Sequence, residues 1–381
     1  MSTTFPAAEY RRRLELVETQ LDEQGLDAIV AYSVKNAPGP VGYLAGYEPR
    51  LGLHDVAFLL LAPNNPARRT LVTNAFWDRF DEFSWVDDVV LSSDFGHEIA
   101  ARLSKGTRRI GIAGYRFFPG WILDTLKDMH PDAVFVDATA VLQGVAQVKS
   151  DQEVELLRQC AAMSDTACRA FLERVREGAN ERDLRVAVEM ALVEAGADGP
   201  SFGVQVYSGE QVAVGIGFGT GRLLQTGDQV QLDCGALFCG YRGDLSRVTS
   251  IGTPLPEVER TMETTARMYD AMLATISPGR PIADVARAAL EVARDQGLQD
   301  AVYHSVNHPV GFVGHGIGCW VHELPEIRPD AEEVLQPGMV IVLEPILVRP
   351  AVGGAKIEDA VLVGSKGAER LSALDVRTWP S

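Results

Sequence analysis

The chain is short of cysteine, of basic charge and of long apolar runs, and each shortage excludes a class of protein. Its five cysteines (Cys160, Cys168, Cys234, Cys239, Cys319) are odd in number and irregularly spaced, and none belongs to a C-x-x-C pair. That pattern is not a disulfide framework and suits a reducing cytoplasm. The longest apolar run, Val56 to Pro63, falls far short of the ~20 residues that span a bilayer. The opening stretch MSTTFPAAEYRRRLE has no apolar core of the kind a signal peptide needs. Neither secretion nor membrane insertion is expected. Lys plus Arg number 35 against 52 for Asp plus Glu, a formal net charge of −17. Such an average field repels a phosphate backbone and an anionic lipid surface, so neither nucleic acid nor a membrane is an expected partner.

What remains is an ordinary globular composition, 46% hydrophobic and 23% charged over 381 residues, long enough for two domains. The first half alternates helix and strand signals. Residues 7–25 carry apolar side chains at helical spacing and stop at Gly25; DAIVAYS, VAFLLLA and RTLVTN read as strands. RIGIAG and AVFVDAT read as further strands, interleaved with helices over 96–105 and 119–130. This alternation predicts an α/β layer. Near residue 148 the pattern changes. A long amphipathic helix enters at Ser150, with Glu153 three residues on as a capping box. A second helix (ERDLRVAVEMALVEAGA), a strand-rich stretch over 203–252, helices over 256–276 and 282–296, and a closing strand set follow. The expected domains are 1–147 and 148–381.

Three constellations carry chemistry. QVQLDCGALFCGYRGDLSRVTSIG, residues 229–252, reads as two strands about a turn near 238–240, which would set Asp233 directly opposite Asp244. Opposed Cβ atoms lie roughly 4.5–5.5 Å apart, and two carboxylates there repel unless a cation or a shared proton lies between them. MVIVLEPILVRPAVGGAKIEDAVLVG, residues 339–364, repeats the arrangement with Glu344 opposite Glu358 about a turn centred on residue 351. One such pair is compatible with unrelated surface acids; two pairs in apolar strands favour a metal. VGHGIGCWVHELP adds His315 between glycines, the nitrogen donor that four carboxylates lack. His322, seven residues on, either carries protons beside the site or fills a cap or core position. Five ligands exceed one tetrahedral zinc and suit two oxygen-preferring divalent ions, with Mn, Co, Fe and Zn all admissible. Such ions activate water and polarise a carbonyl, so hydrolysis of an amide or other C–N bond is the expected chemistry, with Glu344 placed to take up a proton.

Asp233, Asp244 eleven positions on, His315 in GHGIG, Glu344 in LEP and Glu358 in IED form a specific series. It resembles that of the pita-bread metallohydrolases: methionine aminopeptidase, aminopeptidase P, prolidase and their creatinase-like relatives. Length and boundary resemble the prolidase and creatinase branch. The resemblance implies an α+β protein, with a C-terminal pita-bread domain (a curved antiparallel sheet with flanking helices) preceded by a smaller α/β creatinase-like N-terminal domain. It implies that Asp233 chelates one ion, that Asp244 and Glu358 bridge two, and that His315 and Glu344 complete the second. It also implies a homodimer in which one subunit's N-terminal domain walls the other's site; Arg50, Trp77 and Phe80 are candidates for that reach.

The departures from the branch concern substrate. A histidine expected in a stretch like SGxxxAxPHG falls on Ile216. A second, four residues before the metal histidine, falls on Gly311, with Asn307 and His308 nearby. An arginine two residues before the last glutamate is Lys356, whereas His322 is retained. Those histidines contact the peptide carbonyl, the substrate carboxylate or the tetrahedral intermediate. Ile216, Gly311 and His308 are therefore candidate substrate-contacting positions. Arg349 joins them, either meeting a substrate carboxylate or lying exposed on its hairpin. Strand alternation puts Arg242 and Ser246 on the Asp244 face. The expected function is an Xaa-Pro dipeptidase-like hydrolase acting on a dipeptide. The alternatives are a creatinase-like hydrolase of a small cyclic amide, amidine or specialised metabolite, and a binding module that has lost catalysis.

Overall fold

In the computed structural model, which describes residues 5–34, 39–47, 49, 55–65, 68–75, 85–303 and 311–380, the apolar runs of the first half become one sheet. Helix α1 (Ala7–Gln24) stops at Gly25, whose φ of 64° is the left-handed cap that glycine adopts without steric cost. The strands are β1 (Ala28–Val34), β2 (Val56–Leu61), β3 (Arg69–Thr73), β4 (Asp88–Leu91), β5 (Arg109–Ala113) and β6 (Val134–Asp137). They run in the order β4-β3-β2-β1-β5-β6. β1–β2 and β2–β3 are antiparallel and the other pairs parallel, so the layer is mixed. Helices α2 (Gly39–Ala45), α3 (Phe95–Arg102), α4 (Gly120–Met129) and α5 (Thr139–Ala146) complete this unit. Val30, Phe58, Leu60 and Ile112 pack there with Ile99 of α3 and Leu126 of α4. Two compact units divide the chain, Met1–Ala146 and Gln147–Ser381.

The second unit opens with α6 (Asp151–Leu172). Its capping box is made: the Ser150 hydroxyl accepts the Glu153 N–H, and the Glu153 carboxylate accepts the Ser150 N–H at 2.9 Å. Then come α7 (Glu181–Glu194), β7 (Gly199–Pro200), β8 (Gln205–Ser208), β9 (Gln229–Cys234), β10 (Ala236–Phe238), β11 (Tyr241–Arg242) and β12 (Leu245–Ser250). Helices α8 (Pro256–Thr275) and α9 (Ile282–Asp295) precede β13 (Gly314–Gly316), β14 (Glu323–Glu326), β15 (Val340–Leu343), β16 (Ile346–Arg349), β17 (Gly353–Lys356), β18 (Glu358–Gly364) and β19 (Gly367–Arg370). The main sheet is antiparallel in the order β14-β13-β15-β18-β12-β9-β8, with β19 also paired to β18.

Parity along the strands positions the site. Ile341 and Leu343 of β15 and Val361 and Val363 of β18 pack with Met272 of α8 and Val285 and Ala289 of α9. Side chains alternate faces along a strand. Glu344 and Glu358, in the opposite parity, therefore lie on the face turned away from those helices. Among the described residues, no helix is long and apolar enough to cross a membrane.

Candidate metal centre

One row across the sheet gathers the acids. Ser246 of β12 pairs with Asp233 of β9 on one side and with Glu358 of β18 on the other. On β18's far side the register runs from Val340 opposite Leu362 to Leu343 opposite Asp359, and resumes with Ile346 opposite Lys356. Glu344 therefore faces Glu358, with the turn centred on Ala351, whose φ is 63°. The Glu344 N–H donates to the Val313 carbonyl at 2.8 Å, which places His315 two residues along the next strand. Directly paired residues and residues two apart share a face, so Asp233, Asp244, His315, Glu344 and Glu358 point to one side.

One expected register is corrected. Asp233 stands opposite Ser246, not Asp244. The turn lies one residue later, at Cys239–Gly240, both left-handed with φ of 50° and 81°. Between turn and ladder the two strands break where Gly235 crosses Gly243. A Cβ on Gly235 would run into the Gly243 carbonyl oxygen. The register is the same on both sides of that crossing, Leu237 opposite Arg242 and Cys234 opposite Leu245, so the later turn alone moves Asp233 opposite Ser246. Asp244 still reaches the cluster because it lies two residues from Ser246.

The donor atoms converge. Nε2 of His315 lies 3.7 Å from Asp244 Oδ2, 3.8 Å from Glu344 Oε2 and 3.7 Å from Glu358 Oε1. Asp233, Asp244 and Glu358 offer a second set of oxygens within 4.8 Å of one another. His315 Nδ1 lies 2.9 Å from the Gly316 carbonyl oxygen, an acceptor only. Nδ1 therefore carries the proton and Nε2 turns its lone pair to the carboxylates. The glycines either side of His315 are required by close approach: a Cβ on Gly314 would strike the Val342 carbonyl, and one on Gly316 the Leu324 carbonyl. These residues fit a pair of divalent ions. Buried Asp233 Oδ1, Asp244 Oδ1, His315 Nε2 and Glu358 Oε1 have no hydrogen-bond partner among the described residues, although buried polar atoms are otherwise almost always paired.

Lys356 enters the same nest. Its Nζ lies 2.9 Å from Asp233 Oδ2, 2.8 Å from Glu344 Oε1 and 3.0 Å from Glu358 Oε2. Burial disfavours its ammonium, but the surrounding carboxylates outweigh that and hold its pKa well above the usual lysine value. Burial raises Asp233; burial and then Glu358 raise Asp244; burial and then Glu344 raise Glu358. Glu344 goes the other way. Burial would raise it, yet Lys356, His315 and His322 together hold it below the ordinary value. Burial lowers His315.

His322 joins from the exposed edge. Its ring centre is 3.9 Å from that of His315, and it groups with Asp244 and His315. The neighbouring His315, then desolvation, lower its pKa to about 4.

The candidate substrate positions fare differently. Ile216 is 43% exposed and follows Gly215, whose carbonyl accepts the Tyr207 hydroxyl at 2.7 Å. A Cβ on Gly311, whose φ is 90°, would touch Leu290 and Val302. The space its missing side chain leaves therefore borders the helical core instead of the carboxylates. Arg349 is neither free nor simply exposed: its guanidinium pairs with Glu257 of α8 at 2.7 Å and reaches Thr261. Arg242 donates to the Ser201 and Cys319 carbonyls, and the Ser246 hydroxyl to Leu232 O, so neither offers its polar group to the carboxylates. The strand break at Gly243–Asp244 interrupts the alternation that grouped Arg242 with Asp244. His308, Asn307, Arg50, Trp77 and Phe80 lie outside the described residues.

Sequence reasoning missed two supports. Gln231 donates from Nε2 to Ser246 Oγ at 2.9 Å, Arg247 O at 2.9 Å and Lys356 O at 3.0 Å, and its Oε1 accepts the Lys356 N–H. It ties β9, β12 and β17 together beneath the acids. Lys149 and Glu323 form a buried ion pair one residue from His322. Lys356 itself was legible only as a substitution. A lysine two residues from Glu358, on the same strand face, was the available signal.

The chain is similar to known proteins over most of its length. Residues 155–365 match the model of metallopeptidase family M24. An Xaa-Pro dipeptidase from Pyrococcus furiosus is 30% identical over 268 residues, 70% of this chain and 74% of that protein. The crystal structure of a prolidase from Thermococcus sibiricus superposes with a TM-score of 0.86 at 26% identity, covering 97% of this chain and 98% of that one. That of dipeptidase PepE from Mycobacterium ulcerans gives 0.82 at 28% identity, with 98% of each chain covered. The curled antiparallel sheet with its helices on one face is the pita-bread fold expected from the sequence. With a matched family model and whole-chain structural neighbours, the chain belongs to metallopeptidase family M24 and is a metal-dependent hydrolase.

Proposed function

We propose that this protein is an Xaa-Pro dipeptidase whose site holds two divalent ions, Mn first among Mn, Co, Fe and Zn. The observation that carries the reading is the convergence of His315 Nε2 with oxygens of Asp244, Glu344 and Glu358 at 3.7–3.8 Å, beside Asp233. The relatives named Xaa-Pro dipeptidase and prolidase supply the substrate class. Asp233, Asp244, His315, Glu344 and Glu358 would hold the ions. When bound, such ions make water nucleophilic near neutral pH and polarise the carbonyl under attack.

The remaining work falls to side chains of this chain. Glu344, ionised because its pKa is held low, accepts a proton at a carboxylate oxygen and passes it to the departing amine. His322, neutral at pH 7 with its pKa near 4, can donate one hydrogen bond to the substrate carbonyl from the exposed edge. Val186, Met190 and Val193 form an exposed apolar stripe at helical spacing on α7, which supports a homodimer. The five free cysteines, four of them buried, support a cytoplasmic setting.

The test is turnover of a dipeptide panel by Mn-loaded protein. Release of proline from Xaa-Pro dipeptides, absent from Xaa-Ala controls and abolished in Glu344→Gln, is expected. Turnover of lactams or amidines with none of any dipeptide would overturn the assignment.

A further inference from the structure

The carboxylates present two cation positions side by side, and a side chain of the protein already fills one. Glu344 and Glu358 each divide their oxygens. Glu344 Oε2 and Glu358 Oε1 turn to His315, at 3.8 and 3.7 Å. Glu344 Oε1 and Glu358 Oε2 turn to Lys356 Nζ, at 2.8 and 3.0 Å. Asp244 completes the first position and Asp233, 2.9 Å from Nζ, the second. The lysine is 5% exposed and its amide is pinned by Gln231, so its backbone cannot drift away. Three carboxylates at salt-bridge distance around one ammonium make a cation site in their own right, since burial of those charges is tolerated only when they are paired.

We propose that Lys356 is a resident cation that competes with the second metal ion. This rests on the reading of the cluster as a two-ion site. The position built on His315, Asp244, Glu344 and Glu358 fills first. The position at Asp233 fills only when the ammonium withdraws from Asp233, so the two ions bind in order with separated affinities. An arginine there would spread its charge over a broad planar fork, whereas lysine delivers a compact point charge of the kind that substitutes for an ion. Metal supply then sets whether the enzyme carries one ion or two.

Calorimetric titration of the chelator-stripped full chain with Mn chloride tests this. Wild type should give two steps whose dissociation constants differ by about tenfold or more, because a like charge a few ångströms away weakens cation binding strongly. Lys356→Met, which keeps the stem's bulk, should tighten the second step by about tenfold or more and move the first far less. Indistinguishable steps in wild type, or an unchanged second step in a Lys356→Met protein with native circular dichroism, overturn the competition alone. Should that variant fail to fold, the spin-resonance spectrum of wild type at one equivalent of Mn decides. Isolated ions support the ordered filling, and coupled pairs refute it. No Mn binding by either protein would sink the metal reading of the whole cluster, and the competition with it.

Discussion

Arg247 and Asp359 form an ion pair with no exposed side-chain surface, Nη2 lying 2.8 Å from Oδ1. The same guanidinium donates from Nη1 to the Glu358 carbonyl at 3.0 Å. A buried charge thus holds the backbone of a candidate ligand from the helical side of the sheet. Removing Asp359 leaves the Arg247 guanidinium without its counter-ion in the interior, whereas Asp359 without Arg247 still keeps Arg370 at 3.1 Å. Asp359→Asn should cost about 3–5 kcal/mol in denaturant unfolding, and Arg247→Met less, because Arg370 still pairs with Asp359. The double change to matched apolar residues should cost less than the sum of the singles. Equal additivity would show that the pair does not act as a unit.

Metal loading should register in thermal stability. An ion that binds only the folded chain adds about 2.7 kcal/mol at a hundred times its dissociation constant. Addition of Mn to stripped protein should raise the melting temperature, and His315→Ala or Glu358→Gln should abolish most of that rise. The stripped variants need not be less stable than stripped wild type, because each relieves an unpaired buried group. A full Mn-induced rise in His315→Ala would place the ions elsewhere.

The metal-free protein should lose stability as pH climbs past neutrality. Burial and neighbouring carboxylates raise Asp244 and Glu358 in the folded state, so the native chain binds more protons than the unfolded one and each added pH unit costs stability. His315 and His322 act oppositely: their lowered values favour the unfolded chain's protons, but only below their ordinary value of 6.5. Above 6.5 the histidines no longer oppose the carboxylates. The melting temperature with chelator should fall as pH rises above the ordinary carboxylate range, and saturating Mn should flatten that fall. A flat profile in chelator would mean that these acids already ionise freely.

Gly235→Ala should be among the most damaging small changes in the second unit. Its Cβ would meet the Gly243 carbonyl oxygen, which is backbone and cannot step aside. The strands would separate at the point that carries Asp233 and Asp244. Both the melting temperature and Mn affinity are expected to drop together, whereas Gly178→Ala, with open space around it, should affect only stability through its φ of 76°.

Much of this was legible in advance for identifiable reasons. The hairpin of Glu344 and Glu358 is continuous in register about Ala351, so counting residues located their pairing. The capping box at Ser150 is a local pattern and needs no tertiary information. The Asp233 register was missed because the turn lies one residue later, at Cys239–Gly240, and a one-residue shift of the turn moves every pairing along the hairpin. Arg349 could not be placed from its strand, since its partner Glu257 lies 92 residues away on α8. Gly311 showed a missing side chain but not the direction it would have taken. Lys356 looked like a conservative exchange in one dimension and lies amid three acids in three.

The alternation on β15 and β18 has a practical consequence for engineering. Ile341, Leu343, Val361 and Val363 serve the hydrophobic interior, and Val342 and Ala360, of the opposite parity, share the face of Glu344 and Glu358. Libraries confined to the first group should change heat tolerance while leaving selectivity intact, and libraries at Val342 and Ala360 should do the reverse, so the two traits can be improved in separate rounds.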